Sequence, residues 1–410
     1  MGSSKKVLVV GGGASGLMAA GIAGGRGLDV TLVEKNRLPG RKIMITGKGR
    51  CNLTNDTDAE GFLASVPVNS KFLYSAIKSF SSKDLIRFFN ELGLETKVER
   101  GRRVFPVSDS ASSVVDALKK HIRNNNVRLL SNKVTGVLTN DSQVSGLSLK
   151  KGQQIYADSI IIATGGLSYP LTGSTGDGYR FAEELGHKII PLKPSLVPIE
   201  TEEKWVPELQ GLSLRNVSLT VLDGKGKEIF RDLGEMLFTH YGISGPLVLS
   251  ASSFMRNIEK EKYTICIDLK PSLSEKKLDL RIQRDFSELS RKIFSNSLNA
   301  LLPKKLIPVI IDLSKIPPEK PVNQITKKER EALVNLLKKL SVTAKSFRPV
   351  EEAIITSGGV STREINPSTM ASKILRNLFF AGEVIDVNGY TGGYNLQIAF
   401  STGYLAGMNA

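Results

Sequence analysis

Gly11, Gly13 and Gly16 form a G-x-G-x-x-G pattern that follows the apolar run "VLVV" at residues 7–10, with Glu34 eighteen positions beyond the last glycine. Each position has a chemical reason. Gly11 permits the tight turn out of a strand, Gly13 lets the backbone approach a pyrophosphate at a helix N-terminus, and Gly16 allows that helix to pack closely on the strand. Ala14 and Ser15 lie at the helix start between them. Glu34 would then accept hydrogen bonds from ribose hydroxyls. The pattern predicts a dinucleotide site without separating a nicotinamide from a flavin dinucleotide.

Two further glycine-rich stretches bear on that choice. "IIIATGGLSYPLTGSTGDGYRFAEELGH" (160–187) carries Ala163, Thr164, Gly165 and Gly166, and "FFAGEVIDVNGYTGGYNLQIAFSTGYLAG" (379–407) carries Gly382, Glu383, Asp386, Gly392 and Gly393. Three separated contact zones suit one long, extended ligand. A second G-x-G-x-x-G between a strand and a helix is absent from the sequence, which disfavours a plan with two Rossmann units.

The run "RKIMITGKGRCNLTN" (41–55) sets four cations and two glycines beside one of only two cysteines, with no acidic residue. It reads as a cofactor cradle. Arg41 and Lys42 meet phosphate charge, Thr46, Gly47 and Gly49 let the backbone come close, and Asn52 offers an amide near the ring end of the ligand. Arg50 and Lys48 would lower the pKa of Cys51 if it worked as a thiolate; the alternative is a small residue filling a tight site.

Few residues suit the reaction itself. His121 and His187 fall within or at the end of helical segments, where surface or capping roles are expected. His240, in "LFTHYGISGP", sits in a turn containing glycine and proline. With an unperturbed pKa near ~6.5 it suits proton donation or substrate anchoring, and Tyr241 is a second candidate. Arg100, Arg102 and Arg103 in "ERGRRVFP" have forks that match oxyanions, although most such clusters are solvated faces.

The elements that must position these residues follow one another along the chain. Residues 5–35 read as strand, glycine turn, helix and strand, a βαβ unit. Helical patterns near 70–92 and 111–124 and strand patterns near 127–138 and 145–149 continue an α/β alternation. From about 198 to 270 short alternating segments predict a mostly β insertion, a small barrel or sandwich. Residues 273–348 turn helical and basic, with 17 Lys and Arg against eight Asp and Glu. The predicted organisation is an α/β, Rossmann-like domain from residues 1–195 plus 349–410, an inserted mostly β, barrel-like domain from 196–272 plus about 341–348, and a small basic helical domain at 273–340.

The net charge of +16 over 410 residues favours anionic partners, namely nucleotides, nucleic acids, anionic lipids or acidic substrates. Two cysteines without paired Cys/His spacing argue against a disulfide scaffold, a redox dithiol or a metal site. Lys5-Lys6 before the uncharged run 7–25 imitates a membrane span, yet that run holds seven glycines and continues the βαβ pattern. A cytoplasmic protein without membrane insertion is expected, and the oligomeric state stays open.

The motifs "GGGASGLMAA", "GRKIMITGKGRCNLTN", "GRRVFPVSDSASSVVDAL", "LKPSLVPI", "LFTHYGISGPLVLSAS" and "GGYNLQIAFSTGYLAG", in this order, resemble the BaiN-like NAD(P)/FAD-dependent oxidoreductase family, which includes aminoacetone oxidases. Residues 163–166 and 381–395 are also similar to segments of fumarate reductase and succinate dehydrogenase flavoproteins. The resemblance implies that Gly11, Gly13, Ser15 and Gly16 hold the FAD pyrophosphate, Glu34 and Lys35 the adenosine ribose, and Val134 the adenine through its main chain. It further implies Asp386 at the ribitol and Gly393, Tyr394, Asn395, Leu396 and Gln397 beside the isoalloxazine. Gly392-Gly393 opening a helix would also direct backbone N–H groups at flavin N1/C2=O and stabilise the anionic reduced ring. A glycine-capped core helix is the alternative.

The expected function is two-electron transfer between FAD and a small organic substrate, with NAD(P)H docking transiently as electron donor. Two other readings stay open. One is an aminoacetone-type amine oxidase that uses O2 and releases H2O2. The other is a nucleic-acid-linked flavoprotein using the basic helical segment, which the interleaved acids and the lack of a recognised RNA or DNA motif disfavour.

Overall fold

The computed structural model describes residues 4–255 and 258–410. The chain divides into two compact units, Met1–Ser195 with Pro349–Ala410 and Leu196–Arg348.

The first unit is built on the strand β1 (Lys6–Val10), the helix α1 (Ala14–Gly25) and the strand β2 (Asp29–Glu34). Val7 to Val10 are all buried, and a strand covered on both faces reads as a continuous apolar run. β1 lies at the centre of a five-stranded parallel sheet in the order Leu378–Phe380, Ser159–Ile162, β1, β2, Arg128–Ser131. Its register sets Val7 opposite both Val30 and Ser159. Strands from the beginning, middle and end of the chain thus share one sheet, and the turns that leave them bring the three glycine-rich stretches to it.

Close helix packing explains part of the glycine content. In the terminal helix Tyr394–Asn409, a Cβ at Gly403 would collide with the Ser15 carbonyl of α1, and a Cβ at Gly21 would occupy the place of the His121 ring. Helix propensity favours alanine over glycine by ~1 kcal/mol, so packing decides both positions.

The surface or capping roles expected of His121 and His187 are not found, because both are buried. His121, in the helix Ala111–Asn124, meets Phe88 edge-on, and burial pushes its imidazole down to about 4. His187 Nε2 lies 3.0 Å from Ser372 Oγ, its Nδ1 lies 3.4 Å from the Glu364 carboxylate, and burial lowers its pKa despite that carboxylate. The helical pattern over 70–92 is likewise divided. A 3-10 turn Ser70–Leu73 and a helix Tyr74–Ser79 precede the helix Ser82–Glu91, which Ser81 and Asp84 start afresh with a capping box.

The second unit contains a closed six-stranded antiparallel barrel. Its order is Ile199–Thr201, Gly242–Ser244, Glu228–Phe238, Ser213–Leu222, Tyr263–Asp268 and Leu340–Phe347. The alternating segments predicted either a barrel or a sandwich; pairing of the first strand with the last closes the ring. Its longest hairpin turns on Asp223, whose carboxylate accepts from the Lys225 and Lys227 N–H groups at 2.9 Å each.

The helices Glu275–Glu288, Ile307–Ser314 and Lys327–Lys338 are inserted between the last two barrel strands. Leu278, Ile282, Leu333 and Leu337 from these helices belong to the same apolar cluster as Ile265, Ile267 and Val342 of the barrel. Lys338 also pairs with Asp268 at 2.6 Å. The helical segment and the barrel therefore share one core.

Candidate functional site

The site begins where β1 ends. Gly11 takes φ +103°, donates to the Val33 carbonyl at 2.9 Å, and passes so near Ala163 that a Cβ would lie 2.6 Å from its carbonyl oxygen. Gly16 is pressed against the Gly11 carbonyl, whereas a Cβ at Gly13 would meet nothing within 4 Å. Gly13 caps α1 without a side-chain hydrogen bond, and the first turn carries no acid. The helix thus presents an uncapped N-terminus to open space, which favours an anion. Ala14 and Ser15 begin that helix and are buried.

Glu34 is buried at the end of β2. One carboxylate oxygen accepts from Gly12 N–H at 2.6 Å, and the other accepts from Asn36 N–H and Asn36 Nδ2, both at 2.7 Å. The Lys35 ammonium turns away to Thr175 and to Asp177, at 2.6 Å from the latter. Arg41 is exposed and donates to Asn36 Oδ1 at 3.1 Å.

A partly buried polar network ties the run 41–55 to the stretches at 160–187 and 379–407. Lys42 Nζ donates to Ser168 Oγ at 2.6 Å and to Glu383 Oε2 at 2.7 Å. Glu383 Oε1 accepts from Thr356 N–H at 2.9 Å and from Ser168 Oγ at 3.0 Å. Thr356 Oγ1 in turn accepts from Leu167 N–H at 2.8 Å. Gly382 abuts Ser15, where a Cβ would come within 2.5 Å of its hydroxyl, and Gly166 abuts Glu383. Ser168 and Thr356 did not stand out in the sequence, since lone hydroxyl residues carry no spacing signal.

The side-chain oxygens Asn52 Oδ1 and Thr164 Oγ1 are buried without a protein partner, and a Cβ at Gly178 would lie 2.0 Å from the Thr164 hydroxyl. Gly165 follows with φ +75°. The turn Thr46–Gly49 bends through left-handed Gly47 and Lys48, and Cys51 also takes φ +61°.

Other expected ligand residues are engaged elsewhere. The Arg50 guanidinium pairs with Glu99 and Asp109 and stacks 4.1 Å from the Phe105 ring centre. It holds Glu99 below the usual carboxylate range and, after Lys97, does the same for Asp109. Its charge serves this cluster. Cys51 is fully buried and its thiol is pushed up to about 12, so the lowered pKa considered from its cationic neighbours is overturned.

The start of the terminal helix shows the same pattern. Asn395 clamps the preceding turn, with Oδ1 accepting from Gly389 N–H and Nδ2 donating to the Gly389 and Tyr390 carbonyls. Gln397 Nε2 donates to the Phe80 carbonyl and to Ser401, while its Oε1 is buried without a partner. The Tyr394 ring lies 5.3 Å from that of Phe62, and Leu396 is half-buried. Gly393 takes φ +101° against the backbone of Thr54, and Gly392 takes φ +116°. These side chains build the helix start, and a ligand there would meet backbone. The Asp386 carboxylate accepts from Asn69 Nδ2 at 2.9 Å, and Val134 begins a strand paired with Leu149.

His240 and Tyr241 lie in the second unit, in the hairpin between Glu228–Phe238 and Gly242–Ser244. His240 is exposed, and Arg348 sits 4.5 Å from the Tyr241 ring centre. Arg100, Arg102 and Arg103 are exposed around a turn between two short strands. Among the described residues no helix is long and apolar enough to cross a membrane.

A parallel sheet whose first turn carries an uncapped helix end above a buried acid defines a Rossmann-type dinucleotide-binding fold. Residues 5–409 match the family described as HI0933-like protein Rossmann domain, and the chain belongs to that family, as an FAD-dependent oxidoreductase. It is 33% identical over 414 residues to a 3-dehydro-bile acid delta(4,6)-reductase of Clostridium scindens, covering 99% of this chain and 98% of that one. It is 32% identical over 399 residues to a ribosomal RNA dihydrouridine synthase of Escherichia coli, covering 97% and 96%. Among solved structures it is similar to the 3-ketosteroid-delta4-(5alpha)-dehydrogenase of Rhodococcus jostii, with a TM-score of 0.51 at 12% identity, covering 100% and 96% of the two chains. That likeness establishes the fold.

Proposed function

We propose that this protein reduces a carbon–carbon double bond conjugated to a carbonyl group, with FAD held along the three glycine-rich stretches and a reduced pyridine nucleotide as electron donor. The supporting observation is the pair of near-full-length relatives above 30% identity, one named as a delta(4,6)-reductase of a 3-dehydro-bile acid and the other as a dihydrouridine synthase. Both names describe the addition of two hydrogens to such a bond. When bound, FAD supplies the hydride chemistry.

The chain's own residues bind and orient. The backbone from Gly11 through Gly13, Ala14, Ser15 and Gly16 receives the pyrophosphate at the open N-terminus of α1. A carboxylate has about four acceptor positions, and Glu34 uses three on Gly12 and Asn36, which keeps one for a ribose hydroxyl. Arg41 meets phosphate charge, the Val134 main chain meets adenine, Asp386 a ribitol hydroxyl, and the backbone at Gly392–Gly393 the flavin ring. Lys42 and Glu383 hold the stretches in register. Lys35 and Arg50 act through the protein groups they pair with. His240, next to Tyr241, is the proposed donor of the proton that accompanies the hydride.

The test is anaerobic. NADH or NADPH is expected to bleach the bound flavin, and a steroid with a 3-oxo-delta4 bond or a uridine-containing RNA is expected to restore its colour. Bleaching by aminoacetone alone, followed by H2O2 release in air, would replace this reading with the amine oxidase.

One observation favours an RNA substrate over a small molecule. Lys276, Lys277, Arg291 and Lys304 in the basic segment are exposed, and none has an ion pair among the described residues. Phosphate binding there must weaken with salt, so an absent or salt-insensitive shift of a ribosomal RNA fragment would remove the RNA reading.

A further inference from the structure

The first unit has a groove of about 570 Å³ that no step above uses, lined by Leu63, Ser70, Lys71, Tyr74, Ser75 and Pro367. We propose that this groove docks the electron-donating pyridine dinucleotide, with a base stacked on Tyr74 and the phosphates at Lys71 and Lys78. The proposal rests on the reading above that a pyridine nucleotide is the donor.

Four observations converge on it. The groove is shallow and open to solvent, and its volume is of the order of the roughly 300–1,000 Å³ of small-molecule sites. Tyr74 keeps 54% of its surface exposed, and Lys78 Nζ lies 5.8 Å from its ring centre, so a flat face and a cation stand together. Lys71 and Lys78 have no ion pair among the described residues, and no acidic side chain lines the groove. An exposed tyrosine by itself is ordinary; with Lys71 in the groove, Lys78 over its ring and no acid in the lining, it matches an aromatic base that carries phosphate.

The groove wall is also continuous with a stretch assigned above to the flavin. Asn69, next to the lining residue Ser70, donates to the Asp386 carbonyl at 2.7 Å and to its carboxylate at 2.9 Å. Val68 is bridged to Asn388 in antiparallel fashion. The neighbour of the lining residue Ser70 is thus bonded directly to the ribitol candidate Asp386.

The experiment uses the flavin-loaded protein without oxygen, and measures NADPH and NADH dissociation constants by fluorescence and flavin content by absorbance. Tyr74→Ala is expected to raise the dissociation constant of the preferred nucleotide about tenfold, equivalent to ~1.4 kcal/mol, with flavin content unchanged. Tyr74→Phe restores binding, and Lys71→Ala with Lys78→Ala weakens it and flattens its salt dependence. If Tyr74→Ala binds the nucleotide as the parent does while the flavin still bleaches, the groove assignment is overturned and the donor reading stands. If the parent protein neither binds nor is bleached by either nucleotide, both fall. If Tyr74→Ala loses an oligouridine 10-mer but keeps NAD(P)H, the groove belongs to nucleic acid and the proposal is overturned.

Discussion

Burial sets the chemistry of Cys51. Its thiol is pushed up to about 12, so at pH 8 it stays protonated. Ellman's reagent should leave it untouched in the native protein and react fully after denaturation; rapid native labelling of Cys51 would contradict the assigned environment. His121 makes a matching case in acid. Its folded pKa of about 4 lies below the ~6.5 of an unfolded chain, so the folded state binds fewer protons between those values. Stability from this residue is complete above ~6.5 and declines as the pH falls to about 4, by at most ~3 kcal/mol. Urea midpoints from pH 7.5 to 4.5 check this, and a non-titrating His121→Gln should show a flatter slope than the parent. At Glu383, alanine would leave the Lys42 ammonium with Ser168 alone and the Thr356 N–H without its acceptor. A loss of about 2–4 kcal/mol and of bound flavin is expected, measured by urea unfolding and flavin absorbance.

Helix packing and helix caps carry the predictions for elements. Gly403→Ala gains ~1 kcal/mol of helix propensity but drives a methyl into the Ser15 carbonyl, so a net loss of about 1–3 kcal/mol is expected. A raised melting temperature would show that the two helices separate easily. In the basic segment, Thr326 and Glu329 form a capping box that starts the helix Lys327–Lys338. Thr326→Ala should cost ~1 kcal/mol, read as a lower melting temperature.

For the whole molecule, the uncapped end of α1 is the opening that the proposed FAD cradle would fill, so bound cofactor would add to the stability of the first unit. Ligand at a hundredfold excess over its dissociation constant adds about 2.7 kcal/mol. Stripping FAD should therefore lower the melting temperature and adding it back should restore it; a melting temperature indifferent to FAD would count against the assigned cradle.

Much of this was legible in local pattern. The apolar run at 7–10, the spacing of Gly11, Gly13 and Gly16, and Glu34 after the next strand specify a βαβ unit, because turn, strand and helix geometry depend on neighbouring residues. The alternating segments from 198 onward read as strands for the same reason. Their closure into a ring rather than a sandwich depended on Ile199–Thr201 meeting Leu340–Phe347, a pairing that alternation does not encode. Cations were visible in the sequence but their partners were not. Arg50 lay in the predicted cofactor cradle, but the fold brings Glu99 and Asp109 to it, and Lys42 meets Glu383 across 341 positions. The buried states of His121 and His187 were hidden in the same way, since burial is decided by what other elements lay over a residue. The sequence by itself determined the local elements and the glycines that let a dinucleotide approach. Only the tertiary structure decided which charges remain available to it, because pairing and desolvation arise between segments distant in the chain.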